Sequence, residues 1–364
     1  MDAHRRHLIR RALCGPTTAT ALLAGPGPGT GPGRAVAAPA ASPPKAAAAS
    51  TATAASAAGP DAARVARCIV PAKAGGGFDL TCTLLQPLLD GGDGTPQRRY
   101  QPGGIGALTW QALVQGLRPD DDALVAFSSG TLLNLAQGRF GAWSPERVCW
   151  MAGLARDHGA VAVHRDAPWP RLGALLQALR ADPAAITFAT GGTIGSQDWL
   201  KTALLARGAG VSHRALRVLA FEGGGDAQRA LLNGHAGVLC GDVAELLPAL
   251  RDGAPLRLLA VLAPRRLDGR LQAVPTAIEQ GLDLQWPILR GVYASADMAQ
   301  ARRAAVQARL ERGLAGAAHA ERVRAAGLQP LALTGHALQA EVTRQLADYA
   351  ALVAPYGLAA RPLR

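Results

Sequence analysis

From residue 64 onward, apolar positions come in short runs, each ending in a Gly- or Ser-rich turn and followed by a helix-patterned segment. Cys68-Ile69-Val70-Pro71 leads into Gly75-Gly76-Gly77, and Leu84, Leu85, Leu88 and Leu89 then recur at helical spacing. Ala123-Leu124-Val125-Ala126-Phe127 leads into Ser128-Ser129-Gly130 and a helix from Thr131 to Gln137. Ile186-Thr187-Phe188-Ala189-Thr190 precedes Gly191-Gly192-Thr193-Ile194-Gly195 and a helix from Ser196 to Ala206. Val218-Leu219-Ala220-Phe221 precedes Gly223-Gly224-Gly225 and a helix from Asp226 to Leu232. Gly237-Val238-Leu239-Cys240 precedes Gly241-Asp242 and a helix from Val243 to Leu250. Strands alternating with helices predict an α/β fold with parallel-type sheets flanked by helices.

In such sheets the strand-to-helix turns share the edge where ligands bind, at the carboxyl ends of the strands. Each turn opens a helix whose first N–H groups are unpaired and partly positive. Glycine admits close backbone approach, and Ser or Thr adds a hydroxyl donor. A cluster of such turns suits an anion, most simply a carboxylate or phosphate. Asp79 reads as a first-turn carboxylate placed favourably for the helix dipole.

The first residues differ from the rest. Arg5, Arg6, Arg10 and Arg11 form a basic head, residues 19–24 are mildly apolar, and Ala35-Val36-Ala37 ends the segment with small residues. These are the parts of an export signal, so residues 1–37 are expected to be cleaved on delivery to the periplasm, by the general or the twin-arginine route. Residues 38–63 are mostly Ala, Pro and Ser and read as a disordered linker. No uninterrupted apolar run is long enough to span a bilayer as a helix.

Composition narrows the function. Hydrophobic residues make up 49% and charged residues 18%, enough apolar content for a sizeable core. Aromatics are only 4%, which disfavours stacking on nucleic-acid bases, and no nucleic-acid partner is expected. The formal charge of +12 is carried almost wholly by arginine, since Lys45, Lys73 and Lys201 are the only lysines. Signature motifs for phosphate-loop, dinucleotide, serine-hydrolase and zinc-protease chemistry are missing, and the histidines are scattered. No metal site and no cofactor are expected. Cys149 and Cys240 lie in apolar runs and read as buried, whereas Cys68 and Cys82 flank the first strand–turn–helix unit. An oxidising compartment would permit one disulfide there.

Several of these segments, in order, resemble receptors of tripartite tricarboxylate transporters, the Bug proteins. The first is residues 68–81, from Cys68 through Lys73-Ala74-Gly75-Gly76-Gly77-Phe78-Asp79 to Thr81. Gln101-Pro102-Gly103-Gly104-Ile105-Gly106, Val125 to Leu135 and Ile194-Gly195-Ser196-Gln197-Asp198-Trp199 continue the likeness. Ala220-Phe221-Glu222-Gly223-Gly224-Gly225, Val274-Pro275-Thr276-Ala277 and Trp286-Pro287-Ile288-Leu289-Arg290-Gly291 complete it. The resemblance covers about residues 64–358 and looks closest to the citrate-binding branch. Ala74 departs from that branch, which usually carries proline there.

The resemblance implies a two-lobed periplasmic binding protein of type 2, a Venus flytrap. Residues 64–160 with 285–364 would form one lobe and residues 161–284 the other. A di- or tricarboxylate such as citrate would be trapped between them, and the closed form would be read by a membrane permease. The implied ligand set is Lys73, Gly76, Gly77, Phe78, Ser128, Ser129, Thr131, Thr193, Ser196, Gln197, Gly224, Asp242 and Arg290. Lys73 and Arg290 would supply the cations, Arg290 by bidentate capture, and Asp242 would orient neighbouring donors. The expected protein is a monomer and not an enzyme. A receptor signalling to a sensor kinase is an alternative, as is an exported α/β enzyme acting on carboxylates.

Overall fold

The computed structural model describes residues 63–89, 95–116, 122–141 and 147–358. The expected export signal, and all but the last residue of the linker, lie outside them. The first half alternates as the sequence pattern requires. Strand β1 (Arg67–Val70) leads to helix α1 (Gly77–Leu89), β2 (Gln97–Tyr100) to α2 (Ala107–Val114), and β3 (Ala123–Ser128) to α3 (Ser129–Ala136). All of β3 is buried, as expected for a strand covered on both faces. Leu84, Leu85, Leu88 and Leu89 of α1 are buried, the apolar stripe of an amphipathic helix.

The long strand β4 (Val148–His164) follows, then α4 (Leu172–Ala181), β5 (Thr187–Gly191), α5 (Gln197–Gly208), β6 (Arg217–Phe221) and α6 (Gly224–Leu232). Next come β7 (Val238–Asp242), α7 (Val243–Arg251), β8 (Leu256–Val261) and β9 (Pro287–Ser295). The chain ends in α8 (Gln300–Leu314), α9 (Ala317–Ala325), β10 (Gln329–Leu333) and α10 (Gly335–Val353).

The strands are ordered β2-β1-β3-β9-β4-β7-β5-β6, with β8 and β10 also paired to β4. β1 runs parallel to β2 and β3, and β5 runs parallel to β6 and β7. The sheet is nevertheless mixed, because β9 is antiparallel to β3 and β4, and β4 is antiparallel to β7 and β8. β4 explains the join. It pairs with β9 from Val148 to His158, then with β7 from Gly159 to Val163. One strand therefore pairs directly with β7 of the second parallel group and is joined through β9 to β3 of the first.

Apolar packing holds this frame. Trp110, Phe127, Trp150 and Tyr293 are buried together, with Phe127 and Trp150 edge-on at a centroid distance of 4.8 Å. Cys68 and Cys82 are joined as a disulfide between β1 and α1, with Cα atoms 5.7 Å apart, inside the usual span. Among the described residues, no helix is long and apolar enough to cross a membrane.

Candidate functional site

The five Gly- or Ser-rich turns named above converge on one cleft, of about 990 Å³ counting the space open at its mouth. Lys73, Gly76, Gly77 and Phe78 come from the turn after β1, and Ser128 from the end of β3. Ser196 and Gln197 come from the start of α5, Gly224 from the start of α6, Asp242 from the end of β7 and Arg290 from β9. Ten of the expected ligand residues thus border one space. The convergence follows from topology: β1 and β3 run with β4 whereas β5 and β7 run against it, so the carboxyl ends of the two parallel groups face each other where β4 passes from β9 to β7.

Ser129, Thr131 and Thr193 lie outside this lining, and their hydroxyls have partners within the protein. The Ser129 hydroxyl donates to Gln345 Oε1 at 2.7 Å and accepts from the Leu289 amide at 2.8 Å, tying α3 to α10 and β9. The Thr131 hydroxyl accepts from the Ser128 amide at 3.3 Å, and Ser128 Oγ accepts from the Gly130 amide at 3.2 Å. That reciprocal pair is a capping box at the start of α3. The Thr193 hydroxyl accepts from Arg139 Nη1 at 3.0 Å.

Beneath the cleft lies a buried charge network that the sequence reading reached only in part. Arg290 is 1% exposed, and its Nε donates to Asp157 Oδ2 at 3.0 Å while Nη2 donates to Asp242 Oδ2, also at 3.0 Å. Two of its three nitrogens are therefore engaged by buried carboxylates, while Nη1 lies against Gly77 of the first turn. Lys201 is fully buried and donates to Asp242 Oδ1 at 2.7 Å and to the Gly241 carbonyl at 2.7 Å. It also pairs with Asp198 at 2.9 Å. Gln197 Nε2 donates to Asp242 Oδ2 at 2.9 Å, so Asp242 accepts from three side-chain donors.

Burial governs the protonation of these groups. It raises the carboxyls of Asp157 and Asp198 above the usual range, with Arg290 and Lys201 respectively opposing it. Burial also acts to raise Asp242, but Lys201 and Arg290 outweigh it and hold the group below its usual range. Burial would lower Lys201, yet Asp198 and Asp242 raise it overall, and Asp157 and Asp242 do the same for Arg290. Glu245, half-buried at the cleft, is pushed up to about 8 by burial and then by the charge of Asp242.

Lys73 stands at the mouth with its side chain 62% exposed. It pairs with Glu222 at 3.0 Å and lies 3.9 Å from Asp226. Asp79, read from sequence as a dipole partner for its helix, also braces the first loop. It accepts from the Gly75 amide at 2.8 Å, from Arg98 at 3.0 Å and from the Tyr100 hydroxyl at 3.1 Å. Lys201, Asp157 and Glu245 were missed by motif reading. For Lys201 a signal existed, since it is one of only three lysines in the chain.

Solved structures share this architecture. MatC from Rhodopseudomonas palustris with bound malate is 23% identical, with a TM-score of 0.67, and the match covers 80% of this chain and 99% of that one. Rpa4515 from R. palustris with adipate is 19% identical, with a TM-score of 0.73 and coverage of 82% and 99%. The periplasmic binding protein BugD is 21% identical, with a TM-score of 0.71 and coverage of 82% and 99%. At these identities the likeness establishes the fold. No curated protein sequence matches the chain. Residues 143–357 match the family model of tripartite tricarboxylate transporter family receptors, and the chain belongs to that family.

Proposed function

We propose that this protein is an exported solute-binding receptor that captures a small di- or tricarboxylate and delivers it to a tripartite tricarboxylate transporter permease. The observation that carries the reading is the cleft bordered by the five Gly- or Ser-rich strand-to-helix turns. The first residues of α1 and α6 line it, so the positive ends of two helices front the space. Ser128, Ser196 and Gln197 add side-chain polar atoms. The relatives solved with malate and adipate support a carboxylate as the ligand class.

On this reading residues 64–160 with 285–364 form one lobe and residues 161–284 the other, hinged at β4 and β9. The two parallel strand groups joined through β4 support that division. Closure on the ligand creates the surface the permease reads, and the signal of residues 1–37 sends the receptor to the periplasm. The test is mass spectrometry of small molecules that co-purify with periplasmic protein, followed by calorimetry with the acids found. A carboxylate binding in the micromolar range or tighter is expected. Binding confined to neutral or cationic solutes would overturn the carboxylate reading.

A further inference from the structure

Every cation among the described lining residues of the cleft already has a carboxylate partner. Lys73 is paired with Glu222, Arg229 with Asp226, and Arg290 with Asp157 and Asp242. Against these cations the lining carries the carboxylates of Asp198, Glu222, Asp226 and Asp242. A trianion entering such a cleft meets more carboxylates than cations. Desolvating its charge there lacks compensation.

Glu245 has a particular seat within this lining. It rises from the first turn of α7 and reaches the start of α1, where the Gly77 amide donates to its Oε1 at 2.8 Å. Its Oε2 lies against Gly224, where a β-carbon would displace the carboxyl from this position beside α6. The carboxyl therefore sits beside the first residues of both α1 and α6. Amides at helix starts are the best neutral partners that a ligand carboxylate could find in the cleft.

We infer that Glu245 is a specificity-determining residue, its carboxyl filling one carboxylate seat of the cleft so that the receptor accepts acids with two carboxylates or fewer. The inference rests on the carboxylate-receptor reading and narrows its ligand class. Held neutral by burial near pH 7, the Glu245 carboxyl takes the Gly77 amide without adding a repelling charge. A third ligand carboxylate has no equivalent seat. Glutamine in its place would still fill the seat, whereas a shorter side chain would vacate it.

Calorimetry with malate and with citrate on the full mature protein tests this, for wild type, Glu245→Gln, Glu245→Ala and Glu245→Ser. Wild type should bind malate at least about tenfold more tightly than citrate. Glu245→Gln should keep that ratio. Glu245→Ala should shrink it by about tenfold or more, chiefly through tighter citrate binding. If the alanine variant lacks a cooperative melt, the serine variant, which keeps a polar group, carries the comparison. An unchanged ratio in the folded short-chain variant overturns the role of Glu245, as does a wild type that prefers citrate. If no variant, wild type included, binds any carboxylate, the receptor reading beneath the proposal fails and takes the proposal with it.

Discussion

Lys201 Nζ lies 2.7 Å from Asp242 Oδ1, and both side chains are almost wholly shielded from solvent. Asp198, at 2.9 Å, is the second carboxylate on the same ammonium. Lys201→Met removes the cation and leaves two buried carboxylates short of a partner. Breaking a buried pair from one side costs roughly 3–5 kcal/mol. Chemical denaturation at pH 7 should show a loss of that size. A loss below about 1 kcal/mol, the range of exposed pairs, would show that the network is open to water.

Arg290 and Lys73, the two cations expected from sequence to hold the ligand, should behave oppositely. Arg290→Ala leaves Asp157 and Asp242 buried without their shared guanidinium, so a destabilisation of roughly 3–5 kcal/mol is expected. Its effect on ligand affinity then includes that structural loss. Lys73→Ala breaks only exposed pairs and should cost less than about 1 kcal/mol. Because Lys73 lines the cleft mouth, its removal should still weaken carboxylate binding. Urea unfolding and calorimetry on the same two variants separate the effects.

Much of this site was legible because Gly-rich turns after apolar runs carry their own geometry. Gly75-Gly76-Gly77 and Gly223-Gly224-Gly225 could be placed at helix starts, each at the carboxyl end of its own parallel group, and the opposite course of the two groups along β4 then brings them face to face. The antiparallel course of β4 and β9 was not legible. A strand buried on both faces shows the same apolar run whichever way its neighbours point. The partners of Ser129 and Thr193 were not legible for a related reason. A hydroxyl in a binding turn and one bonded to Gln345 or Arg139 look alike in sequence. Likewise, Asp157 and Glu245 gain their meaning from Arg290 and Gly77, 133 and 168 residues away.

Two groups shifted by burial, one buried and one half-buried, should shape the pH dependence of stability in opposite directions. Burial lowers His158 from its ordinary 6.5 to about 4, so its contribution is complete above pH 6.5 and is lost as pH falls towards 4. That loss amounts to roughly 3 kcal/mol. Glu245 is raised from 4.5 to about 8, so its contribution is complete below pH 4.5 and is lost as pH rises through 8. From pH 6.5 to 8 that loss should be roughly 2 kcal/mol. Melting curves across pH 4 to 9 should therefore flatten on the alkaline side in Glu245→Gln and on the acid side in His158→Gln. An alkaline limb equally steep in Glu245→Gln and wild type would show that the carboxyl is already ionised at neutral pH.

The bridge between β1 and α1 offers a chemical check on the frame beneath the first binding turn. Cys68 and Cys82 are separated by 14 positions and close a short loop. The chain-entropy account gives such a loop about 3 kcal/mol of stabilisation. Because β1 and α1 flank the turn that carries Lys73, Gly76 and Gly77, reduction should loosen that turn first. Denatured but unreduced protein beginning after Ala37 should titrate two thiols, from Cys149 and Cys240, and four after reduction. In the native protein Cys149, half-buried, should label well before Cys240, which is fully buried with its thiol pushed up to about 11. Replacing both bridged cysteines with alanine should lower the denaturation midpoint by an amount matching about 3 kcal/mol at most. Four thiols in the unreduced sample would mean that β1 and α1 are held by packing alone.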